Sequence, residues 1–145
     1  MKINLTNKQY KTLLKLIFLG NHMVNGIRLI DERVKEFDDL EQYLYSFYQD
    51  YQLDDWIEKG KERNELFPTK VFEDEVMEFI EEYDQECFID ELIHNLARRD
   101  FILRYGEEAI AKMDFKERIK KEHPFIETYF DEIEKNDLKN IGIKK

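Results

Sequence analysis

Cysteine, proline and glycine are all scarce in this 145-residue chain: one, two and five residues respectively. The single cysteine, Cys87, excludes an intrachain disulfide and points to a reducing compartment. So few Gly and Pro leave little material for the turns of a many-stranded sheet. A long apolar run is missing as well. No window approaches the roughly 18–20 consecutive apolar residues of a membrane span, and the stretch Leu13–Leu19 is short and carries Lys15. The first ten residues, MKINLTNKQY, lack the apolar core of a secretory leader. These absences together lead us to expect a cytoplasmic protein.

Basic charge is in deficit. Lys and Arg number 23 against 33 Asp and Glu, for a net charge of −10. Gripping a phosphate backbone needs clustered Lys and Arg, so direct nucleic-acid binding is not expected. The same balance argues against a polybasic attachment to a membrane. A basic protein partner remains compatible with this balance.

Large apolar groups are plentiful. The chain is 42% hydrophobic and holds eleven Phe and eight Tyr, too many for a disordered segment. Its length is enough to bury a core without staples, and its richness in Lys, Glu, Leu and Ile favours helix. We therefore expect an all-α fold: a compact single-domain bundle of about five to seven helices around a hydrophobic N-terminal helix. The domain should cover residues 1–135, with 136–145 a frayed polar tail.

Helix signals punctuate the chain. Thr6-Asn7-Lys8-Gln9 matches a capping box. Tyr10, Leu13, Leu14, Ile17, Phe18 and Val24 then share one face, and Leu16, Leu19 and Met23 form a second stripe. A helix apolar nearly all round is buried or serves as a seam, so Leu16, Leu19 and Met23 are candidates for self-association. Asn25-Gly26 should end it with a left-handed glycine cap. A second helix is read over Glu36 to Tyr51. A short element around Trp56 comes next, then a loop from Gly60 to Pro68. From Val71 the apolar residues Phe72, Val76, Phe79, Ile80, Tyr83 and Cys87 define one face. Phe88, Leu92, Ile93, Leu96 and Leu103 define a rotated one, so a break or kink giving two helices is expected near Asp84 to Glu86. Asp114 should cap a helix that Pro124 interrupts, with a last helix from Pro124 to Lys135.

Charge is segregated along the chain. Residues 1–35 carry seven Lys/Arg and two Asp/Glu; residues 36–58 carry eight acidic residues and residues 71–97 ten, with no Lys or Arg in either stretch. Glu75, Glu78, Glu82 and Glu86 follow helical spacing and line one strip. That strip reads as an acidic surface for a basic partner, as a mimic of a phosphate ladder, as a divalent-cation site, or as a plain solvated face. Lys8, Lys11 and Lys15 would most simply pair with an acidic helix of the fold.

Evidence for catalysis is thin. Glu91-Leu92-Ile93-His94 has the E-x-x-H spacing of di-iron bundles, but no second such pair exists. Glu75/Glu78 and Glu78/Glu81 echo the paired carboxylates of helical magnesium hydrolases, without the downstream E-x-x-D at a suitable distance. Cys87 sits among carboxylates, the wrong setting for a nucleophile, and His22, His94 and His123 are dispersed. Four polar residues fall on core-facing arcs: Asn21, Asn25, Arg99 and Asp100. They are the first candidates for a polar pocket, with Tyr48 or Trp56 as walls. No cofactor or metal ligand set is assigned. The sequence reads best as a small acidic interaction or regulatory protein without catalytic activity. The alternative is a metal-dependent hydrolase of a phosphorylated small molecule.

Overall fold

A computed structural model describes residues 4–61 and 65–142. Among these residues the fold is mostly helical, with one small hairpin. Helix α1 spans Asn7–Asn25 and α2 Lys35–Tyr45; strands β1 (Ile57–Lys59) and β2 (Leu66–Pro68) follow; α3 spans Lys70–Tyr105, α4 Glu107–Ala111 and α5 Phe115–Asn136. Short 3-10 turns occur at Ile30–Glu32 and Asp137–Asn140. The chain divides into two compact units, one ending at Glu82 and the other starting at Tyr83, so α3 contributes to both.

The first unit is organised by its rings. Tyr10 and Leu14 of α1, Tyr45 of α2, Leu53, Trp56 and Ile57 around β1, and Phe72 and Val76 of α3 form its buried cluster. Phe72 stands at the centre, 4.9 Å from the Trp56 ring and 5.6 Å from Phe18. Edge and tilted contacts of this kind are favourable for aromatic quadrupoles. The capping box is present: Gln9 N–H donates to Thr6 Oγ1 at 3.3 Å, and Thr6 N–H donates to Gln9 Oε1 at 3.0 Å. Lys15 pairs with Glu75 at 2.8 Å, and Lys11 lies 4.7 Å over the Trp56 ring. The basic strip of α1 is thus partly spent inside the unit.

The second unit buries Ile93, Ala97 and Phe101 of α3 and Ile110 of α4. Phe101 packs on Phe125 of α5 at 5.9 Å. Asp114 caps α5 by accepting from Glu117 N–H at 2.8 Å.

Several expectations need correction. The break near Asp84 to Glu86 is absent: α3 is one helix of 36 residues, Lys70–Tyr105. It holds no Gly or Pro to interrupt the ladder. Its apolar phase shifts because its two halves have different neighbours. The second stripe was also misread, since Phe88 and Leu103 are exposed while Ala97 and Phe101 are buried. Pro124 lies inside α5. The Lys120 carbonyl that it leaves without a donor is on an exposed residue, where water can serve it. Gly26 is right-handed (φ −62°); glycine serves space there, because a β-carbon would come within 2.6 Å of the His22 carbonyl oxygen. The second helix stops at Tyr45 and continues as turns. Within the Gly60–Pro68 loop, Leu66–Pro68 is a strand, paired antiparallel to β1 with Glu58 opposite Phe67; residues 62–64 lie outside the described residues. The tail read as frayed includes the 3-10 turn Asp137–Asn140, where Asn140 donates to Glu132 at 2.6 Å; residues 143–145 lie outside the described residues.

Candidate functional site

The acidic strip of α3 is a surface with aromatic content. At about 100° per residue, Glu75, Glu78, Phe79, Glu82, Tyr83 and Glu86 fall within an arc of roughly 140°. All six are exposed, and both rings are more than half accessible. Phe79 and Tyr83 share the apolar phase of buried Phe72 and Val76 but are exposed, on either side of buried Ile80. Glu75 is engaged by Lys15. Glu78, Glu82 and Glu86 stand at successive four-residue steps, so each repels the next by a few tenths of a kcal/mol. This surface is a property of one helix and of its local spacing.

The four residues proposed for a polar pocket fall in two places. Asn21 and Asn25 belong to the first unit, where both are buried. Asn25 Nδ2 donates to Asn21 Oδ1 at 2.8 Å and to the Val34 carbonyl at 3.2 Å, and Asn25 Oδ1 accepts from Val34 N–H at 2.8 Å. Asn21 Nδ2 donates to Asp38 at 3.1 Å and to Glu41 at 3.0 Å. Arg33 Nε donates to Asp38 Oδ2 at 2.9 Å. One network therefore ties the end of α1 to the start of α2. It borders a cleft of about 150 Å³ lined by Phe18, Asn21, His22, Gly26, Arg33 and Glu41.

Arg99 and Asp100 belong to the second unit and meet Tyr129 of α5. Arg99 Nε donates to Asp100 Oδ1 at 2.8 Å, its terminal nitrogen donates to the Tyr129 hydroxyl at 2.9 Å, and that hydroxyl donates to Asp100. Arg99 and Tyr129 help line a cleft of about 360 Å³ with Leu96 and Ile141. Each pair is bonded within its own unit.

The two carboxylates of the first network have opposite electrostatics. The hydrogen bond from Arg33 is the main cause that holds Asp38 below the ordinary carboxylate range. Burial raises Glu41 above that range, against the lowering effect of its hydrogen bond from Asn21. The buried Tyr45 hydroxyl, also raised by burial, faces Glu41 without closing a hydrogen bond of ordinary geometry. Folding thus favours protonated Glu41, and stability falls as pH rises through its folded-state pKa. Glu41→Gln is expected to raise Tm by a few degrees at neutral pH, a gain that vanishes once Glu41 is protonated in the parent protein. Thermal melts of both proteins across acid and neutral pH check this.

The other sequence candidates are plainly located. Leu16 and Met23 are exposed, whereas Leu19 packs against the core cluster. Cys87 is half-buried, and His94 is exposed beside Asp90. Among the described residues no group of three or more His, Cys, Asp or Glu is placed to hold a metal ion. No described helix is long and apolar enough to cross a membrane.

Compared with protein-family models, curated proteins and solved structures, the chain matches none. Sequence reasoning located the carboxylates of the α3 strip but assigned Phe79 and Tyr83 to the core. It missed Asp38, Glu41 and Arg33 as partners of the asparagines. The one available signal was that polar groups on a core-facing arc need partners.

Proposed function

We propose that this chain is an interaction protein without catalytic chemistry of its own. It receives a basic, amphipathic segment of another protein on the exposed face of α3. The observation that supports this is the placement of Phe79 and Tyr83, both more than half exposed, inside a strip of α3 whose own charged side chains are all carboxylates, with Glu75 alone paired to Lys15 of α1. A solvated acidic face needs no aromatic rings. A docking face uses them as apolar anchors, while the surrounding charge selects the partner's sign and speeds the encounter. Lys and Arg on the partner would also relieve the repulsion along Glu78, Glu82 and Glu86.

The test is titration with a synthetic amphipathic helix bearing Leu on one face and Lys on the other. Saturable binding is expected at low salt, weakening at high salt because the contacts are near the surface and screened. Glu78→Gln/Glu82→Gln should reduce affinity about tenfold, a loss of about 1.4 kcal/mol. An affinity indifferent to both salt and the double substitution would sink the proposal.

A further inference from the structure

In the second unit, two arginines of this acidic chain line one cleft. Its volume is about 560 Å³, inside the range of about 300–1,000 Å³ usual for small-molecule sites. Gly106 shapes it. At φ 78° this residue turns the chain from the end of α3 directly into α4, a conformation that favours glycine. Arg98 and Ile102 stand one turn apart on α3, and Phe115 and Arg118 one turn apart on α5; all four line the cleft. Buried Ile110 of α4 and half-buried Met113 complete the apolar lining. The walls are thus apolar, with two guanidinium groups among them.

We propose that this cleft binds a small monocarboxylate with an apolar body. The arginines select an anion. Among the described residues they share one carboxylate: Arg98 Nη1 donates to Glu122 Oε1 at 3.2 Å, and Arg118 Nε lies 3.6 Å from Glu122 Oε2. One positive charge of this trio is left over. Each guanidinium has five N–H donors, and Glu122 occupies few of them. The trio is also held in place. Glu122 is its least exposed side chain, at 18%, and the Arg98 guanidinium lies 5.6 Å over the ring of buried Phe101. A guanidinium fixed in this way loses little freedom when its planar fork grips a carboxylate. Glu107 limits the ligand's charge. It is the third charged residue of the lining and stands exposed, so a second negative charge on the ligand would meet repulsion. The apolar body follows from Ile102, Ile110, Met113 and Phe115. Phe115 is 78% exposed, and a hydrocarbon laid against it would remove that ring from water.

The inference does not rest on the acidic strip of α3, and its test leaves that strip untouched. The probe is octanoate, in equilibrium dialysis against the full chain. Saturable binding of one octanoate per chain is expected. Octanol, of the same length but uncharged, should bind about tenfold more weakly, the loss expected for a hydrogen bond to a charged group. Octyl phosphate should bind more weakly than octanoate, and Glu107→Gln should narrow that gap. Arg118→Gln should weaken octanoate about tenfold, and Phe115→Ala about threefold. Both of these side chains are exposed, so helical circular dichroism should stay as in the parent protein. Absence of saturable octanoate binding would overturn the inference. So would octanoate affinities unchanged in both variants, which would move the binding to another surface. Octanol held as tightly as octanoate would overturn recognition of the carboxylate. Octyl phosphate held more tightly than octanoate would overturn the limit to one charge.

Discussion

Phe72→Ala is expected to destabilise the first unit by about 3–5 kcal/mol, the usual range for truncating a buried phenylalanine. Phe72 is fully buried, and its ring touches residues from three separate parts of the chain: Phe18 of α1, Tyr45 of α2 and Trp56 beside β1. These neighbours are stiff rings that cannot collapse into the space left behind, so the cavity term adds to the lost transfer energy. Trp56 is the chain's single tryptophan and lies 4.9 Å from Phe72. Its fluorescence therefore reports on this unit directly. Denaturant titration followed at Trp56 should show a large fall in midpoint. A fall of less than 1 kcal/mol would mean that Phe72 is not the keystone of the cluster.

Asn25→Ala is the second large effect, expected at about 2–4 kcal/mol. Asn25 carries few apolar contacts to lose. Its value lies in what it satisfies: the N–H and carbonyl of Val34 both bond to its carboxamide. Leaving a buried polar group unpaired costs about 1–3 kcal/mol, and alanine would strand two, the Val34 N–H and the Asn21 Oδ1, while the Val34 carbonyl keeps its bond from Phe37 N–H. Asn25→Asp is no rescue. It keeps the acceptor for Val34 N–H but replaces the amide donor facing Asp38 with a second carboxylate. Loss of stability in Asn25→Asp should accordingly grow with pH as that carboxylate ionises. The same Trp56 titration checks both variants, and Asn25→Ala within 0.5 kcal/mol of the parent, a difference typical of unremarkable surface sites, would show that the network is dispensable.

How much of this could be read in advance follows from the range of each interaction. The Thr6–Gln9 box and the Asp114 cap are contacts over three residues, and their types alone predict them. The continuity of α3 was misread for a physical reason. Periodicity records which side is buried, and a helix whose two halves pack on different neighbours shifts phase without ending. Pro124 misled in the same way, because the cost of a proline depends on whether water reaches the freed carbonyl. The hairpin was invisible: its strands are three residues long, and Gln42 of α2 holds it by bonding both the N–H and the carbonyl of Leu66. Asn21 and Asn25 stood out as polar groups on an apolar arc, but their partners Val34, Asp38 and Glu41 are nine to twenty residues away. The acidic strip was legible as charge. Its aromatic content was legible only as core, since helical phase does not say where along a helix the neighbours end.

On the proposed reading, Phe79 and Tyr83 anchor the partner on α3 and the surrounding carboxylates only select its charge. Calorimetric titration of the Leu/Lys helix into the parent protein and into Phe79→Ala/Tyr83→Ala separates anchoring from bulk charge. The double variant keeps every carboxylate and loses only exposed rings, so its fold and net charge should be unchanged. We expect its affinity to fall by about tenfold or more, with each ring contributing on the order of 1 kcal/mol or more as an interface anchor. Equal affinities would contradict the account and reduce the strip to a solvated acidic face.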